Sequence, residues 1–190
     1  LLNSLPKPVL PLLDTNYDLL VTGVGGTGVI TVGALITMAA HLEGKGASVL
    51  DFMGFAQKFG PVISYIRFAG NPAELNQVRI DSQQADALIG CDLVVSSSPQ
   101  ASSTYRKDHT RAVLNTTEMS TADFVLFRDA SLKADARVNA IAMITGAENL
   151  ATIAANQVAE ALLGDTIYAN VLLLGFAWQS GLVPVSLEAL

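Results

Sequence analysis

Residues 22–33 read TGVGGTGVITVG. A short apolar run, Tyr17 to Thr22, leads into them, and residues 28–43 follow with Val29, Val32, Ile36, Ala39 and Ala40 at helical spacing up to Gly44. Gly23, Gly25 and Gly28 fit G-x-G-x-x-G, with Gly26 as an extra glycine and Thr27 in the same loop. In a strand–loop–helix setting the first glycine permits a tight turn and the second lets a pyrophosphate approach the backbone. The third allows close helix–strand packing, and the N–H groups of the helix start then face the anion. Glycine at this density also suits a bare turn with nothing bound, and the motif alone does not choose between NAD, FAD, CoA and no ligand.

Outward from this loop, strands and helices alternate. Ala47 to Phe52 reads as a second strand, Val62 to Phe68 alternates as a third, and Asp92 to Ser96 as a buried fourth. Ser98-Pro99 has the form of an N-cap followed by proline at the first helical position. Arg111 to Asn115 and Asp123 to Phe127 complete the strands, and residues 148–163 and 166–180 close the domain as two helices. The alternation predicts an α/β, Rossmann-like three-layer sandwich with a largely parallel sheet and helices on both faces. Residues 1–16, stiffened by three prolines, are expected to be a linker entering a domain that spans 17–190.

The chain has 190 residues, 51% of them apolar and only 15% charged, which suits one compact domain with part of its surface covered. A net charge of −6 without a Lys/Arg cluster argues against nucleic acid as a partner. The longest apolar run, VLLLGFAW at 171–178, is too short to span a bilayer. One cysteine, Cys91, excludes a disulfide framework or a cysteine-ligated cluster within this chain, and a reducing cytoplasm is the natural expectation. No signal peptide is expected, and both ends read as cut from a longer polypeptide. Because 171–178 is apolar all round, Leu172, Phe176 and Trp178 are expected to meet a second copy or a neighbouring domain, so a homo-oligomer is foreseen.

Candidate binding residues gather around the loop. Asp51 ends the second strand 23 residues after Gly28, about where a ribose-binding acid would stand. The segment GFAQKFGPVISYIRF, residues 54–68, brings Gln57, Lys58 and Arg67 beside Gly60-Pro61 and would line the carboxyl ends of the first strands. Ser97 follows the fourth strand between Ser96 and Ser98 and is placed to donate to a phosphate, although capping accounts for Ser98. His41 suits the last turn of its helix as a surface residue, His109 sits in a polar loop, and Cys91 reads as a core thiol. No carboxylate pair, nucleophilic triad or metal-ligand cluster stands out. These residues describe a binding crevice without catalytic apparatus.

The run TGVGGTGVITVGALITMAAHLEGKGASVLDFMGFAQKFGPVISYIRF resembles the gamma-type domain of 2-oxoacid:ferredoxin oxidoreductases, in the indolepyruvate branch. The likeness continues through RIDSQQADALIGCDLVVSSSP, HTRAVLNTTE and GDTIYANVLLLGFAWQSGLVPVS, from about residue 5 to the end. The resemblance implies oxidative decarboxylation of aryl pyruvates to acyl-CoA with reduction of ferredoxin. It places thiamine diphosphate and iron–sulfur clusters on other domains or subunits, and gives this domain a part in positioning CoA and assembling the complex. The chain by itself is expected to bind no cofactor tightly and to be inactive alone. Two positions depart from the family: Phe59 stands where a glycine pair is usual, and Ser64-Tyr65 replaces a usual Ser-His. Phenylalanine adopts positive φ only at a cost, so the loop path at 58–61 is expected to differ. Two other functions remain open: a dinucleotide-binding domain of an NAD-dependent dehydrogenase, and a structural interaction domain with an empty crevice.

Overall fold

The computed structural model describes residues 5–54, 60–76, 78–117 and 133–190. Strand β1 (Tyr17–Val24) is followed by helix α1 (Val29–Leu42), β2 (Gly46–Met53) and β3 (Pro61–Ala69). Then come β4 (Ala87–Gly90), two short helices α2 (Leu93–Ser96) and α3 (Pro99–Ser102), and β5 (Arg111–Asn115). Helix α4 (Ala134–Thr145), β6 (Leu150–Ile153), α5 (Ala155–Leu163) and α6 (Ala169–Gln179) complete the described chain. The sheet order is β2-β3-β1-β4-β5-β6. Strands β1, β4, β5 and β6 run parallel, and β3 is antiparallel to both its neighbours.

Strand β1 lies at the centre because Leu19, Leu20 and Val21 are apolar on both faces and leave no solvated side. The period of two then sorts each strand between two cores. Leu19, Val21, Ile66 and Ile89 face α1, α5 and α6, whereas Leu20, Tyr65, Leu88 and Leu114 face α2 to α4. Helix α1 buries Val29, Val32 and Ile36 against the first core, at roughly 1.5–3 kcal/mol for each large aliphatic side chain. The expected three-layer α/β sandwich is present.

Four expectations change. Strand β3, read as one more member of a largely parallel sheet, is antiparallel and inserted between β1 and β2. The buried fourth strand is Ala87–Gly90, not 92–96; Asp92 turns the chain into α2 by accepting the Val95 N–H at 2.8 Å. Residues 148–163 do not form one helix, because Leu150–Ile153 pairs in parallel with β5 and the helix starts only at Ala155. Helix α4 was not foreseen at all. The expected strand 123–127 lies outside the described residues.

The two ends of the chain cover α6. Leu182, Val183 and Val185 are buried in the first core, and the Trp178 indole N–H donates to the Val185 carbonyl at 2.8 Å. Gln179 donates to the Pro6 carbonyl at 2.7 Å, and Leu13 packs on the same core. Leu172, Phe176 and Trp178 pack against this core and are only partly buried by their own chain. Among the described residues no helix is long and apolar enough to cross a membrane.

Candidate functional site

The glycine loop sits at the carboxyl end of β1, and its glycines divide the work differently from the motif's usual scheme. A Cβ on Gly23 would lie 2.6 Å from a Val29 methyl and 3.0 Å from the Cys91 Cβ, so the first glycine, not the third, serves close packing. Gly25 does not offer its N–H outward; it donates to the Gly60 carbonyl at 2.8 Å and ties the loop to the start of β3. The conformational demand falls on Gly26 (φ 89°) and Gly28 (φ 91°), both left-handed. A Cβ at either would meet nothing within 4 Å, so the loop's outer face is open. Thr27 closes the turn through its N–H and Oγ1, which donate to the Val24 carbonyl at 3.3 and 2.7 Å.

Two clefts flank this loop and share Gly26, Gly28 and Thr31. One, of about 570 Å³, runs toward the sheet edge between Ile30, Met53, Gly54 and Val62. The other, of about 470 Å³, lies toward Asn156, Asp165, Thr166 and Asn170. Both have the size of small-ligand pockets. The N-cap of α1 is Gly28, which has no side chain to cap it, so among the described residues the first N–H groups and the positive end of this 14-residue helix are left toward the space between the clefts.

Three expected contributors stand elsewhere. Arg67 is buried, 8% exposed, and makes a two-pronged ion pair with Asp18 at 2.7 and 2.6 Å. The hydrogen bonds to the Asp18 carboxylate make the Arg67 guanidinium hold its proton still more firmly than usual. Val62 pairs with Gly23 and Arg67 with Asp18, so the guanidinium is about 17 Å along the strand from the loop. Asp51 lies two residues before the end of edge strand β2, with β3 between it and β1, and its carboxylate accepts the Ser64 hydroxyl at 2.5 Å. A ribose-binding acid needs β2 beside β1, and here the inserted strand moves it aside. Ser97 accepts from Arg137 of α4 at 2.6 Å and donates to the Val94 carbonyl at 3.2 Å; it lines neither cleft. Gln57, Lys58 and Phe59 lie outside the described residues. Among those described, no Lys or Arg lines either cleft.

The remaining titratable candidates are structural. Burial pushes the Cys91 thiol up to about 12, which leaves it protonated and unreactive near neutrality. His109 pairs with Asp86 at 3.0 Å, and His41 is exposed near the end of α1. Among the described residues no group of three or more His, Cys, Asp or Glu side chains is placed to hold a metal ion.

Sequence reading missed three asparagines. Asn170 on α6 donates to the Thr27 carbonyl at 2.7 Å and fixes the glycine loop from across the cleft. Asn115 at the end of β5 holds Asn156 of α5, which lines the same cleft. One polar residue in the apolar string ANVLLLGFAW was the available signal for Asn170.

Comparison with known proteins agrees with this architecture. The subunit PORC of pyruvate oxidoreductase from Thermotoga maritima superposes with a TM-score of 0.61 at 18% identity, over 93% of this chain and 82% of that one. The gamma subunit of the keto/oxoacid ferredoxin oxidoreductase from Geobacter sulfurreducens gives 0.57 at 20% identity, over 91% and 81%. The 2-oxoglutarate:ferredoxin oxidoreductase of Magnetococcus marinus, solved with 2-oxoglutarate, coenzyme A and succinyl-CoA bound, gives 0.62 at 16%, over 93% of this chain and 26% of that one. These likenesses concern the fold. In sequence, the indolepyruvate oxidoreductase subunit IorB of Thermococcus kodakarensis is 42% identical over 52 residues, which are 27% of this chain and 26% of that protein. The match to the family described as pyruvate ferredoxin/flavodoxin oxidoreductase runs over residues 18–190, and the chain belongs to that family.

Proposed function

We propose that this chain is the gamma-type domain of an indolepyruvate (2-oxoacid):ferredoxin oxidoreductase, and that its glycine loop receives the pyrophosphate end of CoA. The observation that carries the ligand assignment is the pair Gly26 and Gly28, left-handed and open, at the uncapped start of α1 between two clefts. Backbone N–H groups and the helix dipole there suit an anion. Family membership and the resemblance to IorB support an enzyme of aryl pyruvates. An NAD-binding domain is the weaker alternative, because the one acid that would hold the ribose diol is displaced by β3.

The chain's chemistry is binding and positioning. An iron–sulfur cluster needs several accessible thiolates, and the single cysteine is buried and protonated. The decarboxylation chemistry of thiamine diphosphate and the electron transfer of iron–sulfur clusters would be supplied by partner domains of a cytoplasmic complex. Here the loop would hold the nucleotide so that the thiol end of CoA reaches the partner domain.

Calorimetric titration of CoA and NAD into one preparation tests this. CoA binds, NAD binds at least tenfold more weakly, and Gly26→Asn weakens CoA roughly tenfold by placing a side chain over the open face while tolerating the left-handed backbone. Tight NAD binding without CoA binding would install the dehydrogenase alternative. If neither binds, the glycines serve the turn alone. In an assay with aryl pyruvate, CoA, thiamine diphosphate and a viologen dye, the chain alone shows no turnover; turnover would overturn its role as a positioning domain.

A further inference from the structure

We infer that Asn156 is a binding residue with a preset orientation: its side-chain NH₂ donates to a neutral acceptor, a carbonyl or hydroxyl, on the ligand arm that lies in the α5–α6 cleft. This rests on the reading of the glycine loop as a CoA site and assigns the non-phosphate part of that ligand to one side of the loop.

The orientation follows from a chain of fixed groups. Asn115 is 1% exposed, and its Oδ1 accepts the N–H groups of Ala155 at 2.9 Å and Thr117 at 3.1 Å. An amide whose oxygen receives two backbone donors must present its NH₂ on the other side. That Nδ2 donates to the Asn156 Oδ1 at 2.8 Å and reaches toward the Cys91 carbonyl at 3.3 Å. Asn156 must therefore turn its oxygen inward and its NH₂ outward. It lines the 470 Å³ cleft with Thr31 and Thr166, and among the described residues this NH₂ has no acceptor. Asn170 is not a second donor for a ligand, since its own NH₂ is engaged with Thr27 at 2.7 and 3.2 Å.

The class of ligand group follows from charge. Asp165 lines the same cleft and no described cation does, so a phosphate there would meet a carboxylate without a counter-ion. A neutral hydrogen-bonding arm meets no such penalty, and a directed amide donor matches a carbonyl. The anionic end is left to the loop and the start of α1.

The test separates the two ends of the ligand. Asn156→Asp keeps an oxygen for Asn115 but replaces the donor by a carboxylate, and Asn156→Ala removes both. CoA and 3′,5′-adenosine bisphosphate are titrated into the parent chain and both variants by calorimetry, with thermal melting to confirm that each is folded. CoA affinity falls roughly tenfold in Asn156→Asp and less in Asn156→Ala, while the bisphosphate binds all three equally. Unchanged CoA binding in a folded Asn156→Asp overturns this inference and leaves the CoA assignment standing. An equal loss for both probes overturns it too, because Asn156 would then serve the anionic end or the loop itself. If the parent chain binds neither probe, the CoA reading fails and this one with it.

Discussion

Strands β1 and β3 lie side by side, yet their two ends are built on opposite principles. At one end Asp18 and Arg67, both buried, neutralise each other in a two-pronged pair, and the Asp18 N–H is held by Asp86 at 2.9 Å. At the other end Gly26 to Gly28 expose backbone, and among the described residues the polar side chains lining the clefts there are hydroxyls, amides and one carboxylate. Among the described residues, charge is placed where it holds the sheet, while the proposed binding end presents oriented dipoles. On the proposed reading, the anion is favoured by the helix start that is reached through glycine.

The largest effect expected from this contrast is at the ion pair. Arg67→Met leaves the Asp18 carboxylate buried and unpaired and lowers unfolding free energy by about 3–5 kcal/mol. Urea denaturation would show this, with CoA affinity of the folded fraction unchanged. Arg67→Met combined with Asp18→Asn recovers most of the loss. If CoA affinity fell with stability in Arg67→Met, the two ends would not be independent.

A middle effect belongs to Gly23, where both principles touch. Gly23→Val drives a side chain into Val29 and Cys91 and costs about 1–3 kcal/mol by overpacking. It also moves the start of α1, so CoA affinity drops together with the melting temperature. Gly26→Asn, in contrast, weakens binding and leaves stability within about 1 kcal/mol. Equal behaviour of the two variants would erase the division of labour among the glycines.

The smallest effect is at the C-terminal tail. Burial raises the Glu43 carboxyl, but hydrogen bonds from Lys45 and Ser186 outweigh it and bring it below its ordinary value of 4.5. Its folded value is therefore depressed, so its contribution is present above the ordinary value and is lost as pH falls through the folded one. Glu43→Gln costs under about 1 kcal/mol at neutral pH, and the difference from the parent chain narrows in melts below pH 4.5. An undiminished difference in acid would place the clamp elsewhere.

Legibility in the sequence followed the range of the interactions. The strand, glycine loop and helix at 17–43 were readable because burial period, turn glycine and helix spacing are all local. The cap at Ser98-Pro99 was readable for the same reason, and Ser98 accepts the Ala101 N–H at 3.3 Å. Leu150–Ile153 was not, since four residues carry too short a pattern to separate strand from helix and only the ladder with β5 decides it. Asp51 was misplaced because its count from the glycines assumes that the second strand lies beside the first, and Arg67 because the antiparallel β3 carries the end of segment 54–68 away from the carboxyl end of β1. Asn115 and Asn156 are 41 residues apart and share no spacing rule.

The sequence by itself determined that β1 is buried, that a glycine turn opens a helix at its carboxyl end, and that the chain carries a single cysteine. Those properties depend on near neighbours along the chain and on residue chemistry. Only the tertiary structure decided that β3 enters the sheet antiparallel between β1 and β2, that Arg67 serves stability, and that asparagines from β5, α5 and α6 shape the cleft. Each of these depends on which distant segments win the competition for the same sheet edge or buried hydrogen bond, a balance of packing and desolvation that no local pattern encodes.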